Sequence, residues 1–308
     1  MTVFGHIPVL LHDAVNLLIT SPEGVYVDAT SGLGGHTEEM AKRVSYHARL
    51  VAFEVDPDAL TISSQRLNKF SNVEFIQRNF RYLKVELTRL NALPVRGILF
   101  DLGLSSLEID NPAKGFSFTR EGPLDMRMDP TLPESAAHLI NTATEERLKE
   151  IIRTYGEERF AGRIARTIAE TRDKVPLQST RDLESLVRQA VHGPHQVKSL
   201  ARVFQAFRIA VNRELEALEK ALPDAFECLE PGGRLVVISY HSLEDRLVKS
   251  CFKDLCTDCV CPPDQPVCTC THVQKARYIQ KKALIPTEDE IRSNPRSRSA
   301  RLRCIEKL

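Results

Sequence analysis

The sequence predicts a doubly wound α/β fold with a small helical subdomain inserted into it, and three observations carry that reading. Apolar runs recur at Val25 to Ala29, Leu50 to Val55, Val73 to Ile76, Gly97 to Asp101 and Arg234 to Ser239. Most are continuous rather than alternating, as parallel strands covered on both faces require. The segments between the first runs carry helical spacing, at Thr37 to Val44 and Pro57 to Lys69, which alternates strand with helix. Finally, about 130 residues separate the fourth run from the fifth, far more than the ~10 to 12 that a crossover needs.

The first strand runs into a glycine-rich turn, Asp-Ala-Thr-Ser-Gly-Leu-Gly-Gly-His-Thr, and then a helix. Gly32, Gly34 and Gly35 permit positive φ angles and close approach to a ligand, and amides at a helix N-terminus favour negative charge. The dinucleotide fingerprint needs a glycine at position 37, where this chain has Thr37. That disfavours a pyrophosphate and fits a ligand with a small carboxylate and an adenosine, such as S-adenosylmethionine. Such a ligand needs an acidic residue at the next strand end to accept from ribose hydroxyls, and Glu54 and Asp56 stand there. At the third strand end, Asn79 and Phe80 offer an amide and a ring to an adenine.

The fourth run ends at Asp101 and opens Asp-Leu-Gly-Leu-Ser-Ser, so a carboxylate and two hydroxyls emerge at the carboxyl edge of the sheet, where open α/β sheets bind ligands. A long loop follows with Gly-Phe-Ser-Phe and then Gly122 to Asp129, including Asp125 and Arg127; a loop this long and polar is commonly functional. Amphipathic helices are expected at Glu134 to Thr154, Glu157 to Arg172, Thr180 to Val191 and Ser199 to Leu222, with breaks at Pro176, Gly193 and Pro194. They place a helical subdomain at residues 133–208, within a discontinuous sheet domain of residues 1–132 and 209–308. Its last helix is expected to end near Pro223. The fifth strand ends in Ser239-Tyr-His-Ser-Leu-Glu-Asp-Arg, where His241 is a candidate for contacting a base or moving a proton. Ala276 to Leu284 and Ser299 to Ile305 supply two further strands.

The 308 residues are 42% hydrophobic and carry a formal net charge of +1. A sizeable core is expected, with no secretory signal and no membrane span, hence a cytoplasmic protein. The charge is uneven: Arg159 to Arg213 holds 11 Lys or Arg against 4 Asp or Glu, and Thr271 to Leu308 holds 10 against 4. These segments read either as solvated helix faces or as a surface for nucleic acid. Arg159, Arg163 and Arg166 repeat at helical spacing opposite Phe160, Ile164 and Ile168, and Gln205, Arg208 and Asn212 share a second face suited to line a cleft. Five of the eight cysteines fall in Cys256-x-x-Cys259-x-Cys261 and Cys268-x-Cys270. In a reducing compartment they read either as structural zinc on Cys256, Cys259, Cys268 and Cys270 or as a loop of free thiols.

Taken together, these motifs resemble the ribosomal RNA small subunit methyltransferase H family, over nearly the whole chain. The resemblance rests on His6 to Leu11, the Gly-Gly-His turn, Asp-Leu-Gly-Leu-Ser-Ser, Gly115-Phe-Ser-Phe, Gly-Pro-Leu-Asp-Met-Arg-Met-Asp, Phe204 to Asn212, Ser-Tyr-His-Ser-Leu-Glu-Asp-Arg and Asn294-Pro-Arg-Ser-Arg-Ser. It implies a Rossmann-like, class I S-adenosylmethionine-dependent methyltransferase sheet and methylation of the N4 amine of a cytosine in 16S ribosomal RNA, near the decoding centre. It also implies cofactor contacts from Gly34, Gly35, His36, Glu54, Phe80, Asp101 and Glu108. Glu54 stands where the family usually has Asp, and Glu108 where Gln or His is usual. The Cys-Pro-Pro loop with its Cys-x-Cys is similar to a feature of some members.

The expected chemistry is direct methyl transfer to the amine, with Asp101, or a carbonyl of the Asp101 to Ser105 loop, accepting a hydrogen bond from it. Ser105 and His241 are further substrate contacts. Methylation at ring carbon 5 would need a cysteine nucleophile, and no strand ends in one. The acceptor is 16S rRNA or the small ribosomal subunit, with its base flipped or unpaired and its phosphates on Arg159, Arg163, Arg166 and the basic tail; neither DNA nor membrane is expected. Two other classes stay open at this level: a methyltransferase acting on DNA or protein, and a nonenzymatic RNA-binding module.

Overall fold

A computed structural model of the protein describes residues 7–261, 265 and 267–308. His6, and Pro262 and Pro263 of the Cys-Pro-Pro loop, lie outside the described residues.

Seven strands form one sheet: β1 (Val25–Asp28), β2 (Arg49–Glu54), β3 (Val73–Gln77), β4 (Val95–Asp101), β5 (Leu229–Ser239), β6 (Ala276–Tyr278) and β7 (Arg301–Lys307). Their order is β3-β2-β1-β4-β5-β7-β6. The first five run parallel, β7 is antiparallel to β5, and β6 is antiparallel to β7. The helices are α1 (Leu11–Leu18), α2 (Gly35–Arg43), α3 (Pro57–Arg66), α4 (Leu83–Arg89), α5 (Ser106–Asp110), α6 (Ala136–Thr142) and α7 (Glu145–Gly156). They continue as α8 (Ala161–Arg172), α9 (Thr180–Ala190), α10 (Gln196–Asn212), α11 (Glu214–Cys228), α12 (Ser242–Cys256) and α13 (Glu288–Ser293).

Successive side chains of a strand point to opposite faces, and here both faces are covered. Val27, Val51, Phe53, Ile98, Phe100, Leu235 and Val237 join Leu87 of α4, Leu222 and Phe226 of α11 and Phe252 of α12 in one core. Their neighbours Tyr26, Leu50, Leu99, Val236 and Ile238 join Val15 and Leu18 of α1 and Met40 of α2 in the other. Burial on both sides is why these strands read as unbroken apolar runs.

The chain divides into two compact units, the sheet unit (residues up to Gly103 and from Leu215) and a helical unit, Leu104–Glu214. The helical unit is wider than the expected 133–208, because Phe116, Leu124 and Met126 of the long polar loop are buried in the same core as Ile151, Ile164, Val187 and Phe207. Burying one such side chain is worth roughly 1.5–3 kcal/mol, enough to fix which unit owns the loop.

Three expected helices differ in extent. Glu134 to Thr154 is split, with Ala143 extended and the Thr144 side chain accepting from Arg147 N to cap α7. Glu157 does not begin a helix; it closes α7 in a left-handed conformation at φ 48°. Ser199 to Leu222 is two helices, separated by Arg213 at φ 51°. The second passes through Pro223 and ends at Cys228, because Leu222, Ala225 and Phe226 are buried in the sheet core, and that packing outweighs the backbone bond the proline removes.

Candidate active site

β1 and β4 are neighbours in the sheet although β2 and β3 lie between them in the chain. The strand order therefore reverses there, and ligands of such sheets bind beyond the carboxyl ends of the strands at that point. Asp28 ends β1 and Asp101 ends β4. Asp28 is fully buried; its Oδ1 accepts from Thr30 N at 3.1 Å and its Oδ2 from Thr37 Oγ1 at 2.7 Å. Thr30 Oγ1 in turn accepts from Asp101 N at 2.6 Å, tying the two strand ends together.

Asp101 stands between two side chains. Tyr240 Oη donates to its Oδ1 at 2.6 Å, and His36 Nδ1 lies 3.4 Å from its Oδ2. Burial pushes the Asp101 carboxyl up to about 7, with the charge of Glu244 adding to the rise and the Tyr240 hydroxyl opposing it. Burial lowers His36. His36 Nε2 lies 3.1 Å from Val9 O, and a carbonyl has no proton to give, so Nε2 carries the hydrogen. Nδ1 and Asp101 Oδ2 then approach favourably only with a proton between them. Asp101 still has 17% of its side chain exposed, so this carboxyl can meet a reactant. Tyr240 fits beside it because Gly103, at φ +113°, has no Cβ; one placed there would come 3.0 Å from the tyrosine ring.

The glycine turn is closed from the next strand. Glu54 Oε2 accepts from Gly32 N at 2.7 Å, while Oε1 accepts from Val55 N at 2.8 Å and Asp56 N at 2.9 Å. Burial raises the Glu54 carboxyl to about 7 against the lowering by these three amides. A carboxylate offers about four acceptor sites. Three are filled, which leaves Oε2 able to accept once more. Gly32 is left-handed at φ +52°, and a Cβ added to it would meet nothing within 4 Å, so open space faces the turn beside that oxygen.

The chain matches the model of the MraW methylase family over residues 3–308. It is 48% identical over 309 residues to a protein of Carboxydothermus hydrogenoformans called ribosomal RNA small subunit methyltransferase H, covering 99% of this chain and 98% of that one. Proteins of the same name are 45% identical in Heliobacterium modesticaldum and 41% in Clostridioides difficile, each over 99% of both chains. The chain belongs to the MraW methylase family. Its sheet carries one antiparallel strand, β7, inserted between β5 and β6.

Within this MraW-family fold, the sheet unit holds Gly32, Gly34, Gly35, His36, Glu54, Phe80, Asp101 and His241 of the expected site residues. Their uses differ from one another. Gly34 caps α2 at φ 79°. Gly35 gives room to Pro8 rather than to a ligand, since a Cβ on it would overlap the proline ring. The His36 imidazole is buried against Val9 O and Asp101. Phe80 is half-buried with its ring edge-on to Phe100, centroids 5.4 Å apart. His241 turns back onto its own helix: as the N-cap of α12, its Nδ1 accepts from Glu244 N at 3.4 Å, and its Nε2 lies 3.1 Å from Glu244 Oε1. In this structure His241 thus caps its own helix through Nδ1.

Ser105 and Glu108 belong to the helical unit, where they form a capping box on α5: Ser105 Oγ accepts from Glu108 N and Glu108 Oε2 from Ser105 N at 2.7 Å. The structure places both side chains in the cap of α5. Asp125 and Arg127 pair with each other at 2.7 Å, and Arg127 Nη1 donates to Pro130 O and Leu132 O, which folds the loop on itself. Gln205 donates to Tyr155 O, Arg208 grips Glu214 with two nitrogens, and Asn212 bonds Met126 O, Arg208 O and Met128 N. The face read as a cleft lining is therefore a set of internal ties: each polar group had to be satisfied where the loop and helices pack. Arg159, Arg163 and Arg166 do stay exposed. Arg159 and Arg163 lie over the Phe160 ring at 4.5 and 5.2 Å, and Arg166 is 3.7 Å from Glu145.

Sequence reasoning missed Tyr240 and Asp28. Both sat inside quoted motifs, but assigning them needs the pairing of β4 with β1 and β5. Thr37, noted only for not being glycine, proves to be a donor to Asp28. Among the cysteines, Cys259, Cys261, Cys268 and Cys270 come together, whereas Cys256 packs on the sheet core at the end of α12. Among the described residues no helix is long and apolar enough to cross a membrane.

Proposed function

We propose that this MraW-family methylase transfers a methyl group from S-adenosylmethionine to the N4 amine of a cytosine in small-subunit (16S) ribosomal RNA, near the decoding centre, and that it does so in the cytoplasm. The observation that carries this reading is the Asp101 carboxyl, poised near neutrality at the strand-order reversal, next to a glycine turn closed by an acidic residue. The family membership and the names of its relatives support the acceptor.

Glu54 and the turn at Gly32 would hold the donor. The remaining acceptor site on Glu54 Oε2 suits one ribose hydroxyl, the open space at Gly32 admits the ligand backbone, and Phe80 offers a ring edge to the adenine. When bound, S-adenosylmethionine supplies a methyl carried on a positively charged sulfur. A cytosine amine is a poor nucleophile because its lone pair is delocalised into the ring, so orientation and proton removal fall to the protein. Asp101 accepts the hydrogen bond from the amine and takes its proton; a carboxyl near 7 is matched to that task at physiological pH. Tyr240 fixes the carboxylate by holding Oδ1. The exposed arginines of the helical unit, Arg159, Arg163 and Arg166, supply phosphate contacts.

The test supplies labelled methyl donor together with small ribosomal subunits from cells lacking this activity, naked DNA and protein acceptors, and then maps the modified base. Label on a single cytosine N4 of the subunit RNA is expected. Label on DNA or protein with none on the subunit overturns the reading.

A further inference from the structure

The described residues of the 257–275 connection between α12 and β6 form neither helix nor strand. Apolar burial does little to order this connection, since Val260, Val267 and Val273 are all exposed, at 57%, 69% and 63%. It returns to its origin at two points: His272 Nε2 lies 2.9 Å from Asp254 O, and Lys275 N donates to Leu255 O at 2.9 Å. Outside those anchors, four sulfurs converge. Cys259 and Cys268 are 3.5 Å apart, Cys268 and Cys270 3.5 Å, Cys259 and Cys270 3.7 Å, and Cys261 and Cys268 3.9 Å.

These separations select one chemistry. A disulfide needs sulfurs ~2.05 Å apart, and each of these pairs is far longer. A tetrahedron of thiolates with zinc–sulfur bonds of ~2.3 Å has edges of about 3.8 Å, which matches the four. One backbone amide faces these sulfurs as well: Cys261 N donates to Cys259 Sγ at 3.4 Å. Such outer hydrogen bonds orient and stabilise metal-bound ligands. His272 is spent on Asp254 O and is not a ligand.

We propose that Cys259, Cys261, Cys268 and Cys270 bind one structural zinc ion that staples the connection between α12 and β6. Cys256 lies outside the site. A closed shell of four thiolates leaves no open position for substrate or water, so the ion holds the loop and takes no part in methyl transfer.

Full-length protein purified without chelator, or reloaded with zinc under reducing conditions, is expected to hold one zinc per chain by elemental analysis. Alkylation mapped by mass spectrometry, before and after chelation, should show metal-dependent shielding at these four cysteines and none at Cys256. Cys261→Ser should lose the ion and Cys256→Ser keep it; the alkylation map needs no variant, so it decides even where Cys261→Ser fails to fold. Chelation should speed hydrogen exchange of residues 257–275 while the sheet strands stay protected. No metal, iron in place of zinc, or shielding at Cys256 instead of Cys261 overturns the proposal.

Discussion

Tyr240 Oη lies 2.6 Å from Asp101 Oδ1, joining the ends of two adjacent parallel strands. Asp101 pairs in register with Ile238, and Tyr240 is two residues further along, so it emerges on the same face. The tyrosine stays a donor because burial and the charge of Asp101 raise it well above 10. Its hydroxyl stabilises the charged carboxylate and so holds Asp101 down against its burial. Tyr240→Phe should therefore move the acid limb of the kcat/KM profile to higher pH by roughly one unit, the scale of one hydrogen bond to a charged group, and lower kcat with donor affinity kept. A pH–rate profile checks this; an acid limb that stays in place would disconnect Tyr240 from the chemistry.

Asp101 and Glu54 also govern stability. Each has a folded-state value of about 7, above its ordinary 3.8 or 4.5. Between those values the folded state binds protons that the unfolded state has released, so stability is full below the ordinary value and lost as pH rises through about 7. Ligand-free protein should thus weaken from pH 4.5 to pH 7 or so. Asp101→Asn should abolish transfer yet be more stable at pH 8 by about 1–3 kcal/mol. Denaturant melts across that range test it, and a variant that gains nothing at pH 8 contradicts it.

The turn glycines separate binding from folding. Gly32→Ala puts a methyl into the open space and a left-handed strain on an L residue, costing about 1–2 kcal/mol. Its main effect should be on the donor, with affinity down tenfold or more by calorimetry. Gly35→Ala collides with Pro8, so it should lower the melting temperature more. Equal donor affinity in Gly32→Ala and the native protein would remove the turn from the binding site.

How much of this was legible in sequence depended on whether a signal is local. The strands β1 to β5 were legible because burial on both faces leaves continuous apolar runs. Helix ends at Glu157 and Arg213 were not, since a left-handed cap at a residue other than glycine carries no compositional mark. The unit that the long loop packs with was not legible, because its polar residues dominate the string while Leu124 and Met126 do the packing. Asp101 and Glu54 were readable as strand-end residues, and Gly32 as part of the turn after β1. Tyr240 was not, because its role exists only through the register of β4 on β5. Gln205, Arg208 and Asn212 show the reverse error: one helical face can be read from spacing, but whether it meets solvent or a folded loop cannot.

The exposed arginines give the last prediction. Arg159 and Arg163 lie over Phe160, and Arg166 is only loosely paired with Glu145, with both side chains substantially exposed. Such pairs contribute about 0–1 kcal/mol, and the hydrogen bond from Arg163 Nη1 to Ala190 O adds about 0.5–1.5 kcal/mol, so replacing all three by Gln should lower the melting temperature only slightly. If they hold phosphates, the triple variant should raise KM for the RNA substrate while kcat at saturation and donor affinity are preserved. A phosphate that no arginine neutralises keeps its counterion on binding, which takes ~0.7 off the salt slope for a single strand. The slope of log KM against log salt should then become shallower by about 2. A slope that matches the native enzyme means these arginines are a solvated face and that the phosphates are held elsewhere, with the exposed Arg298 of the basic tail the next to replace.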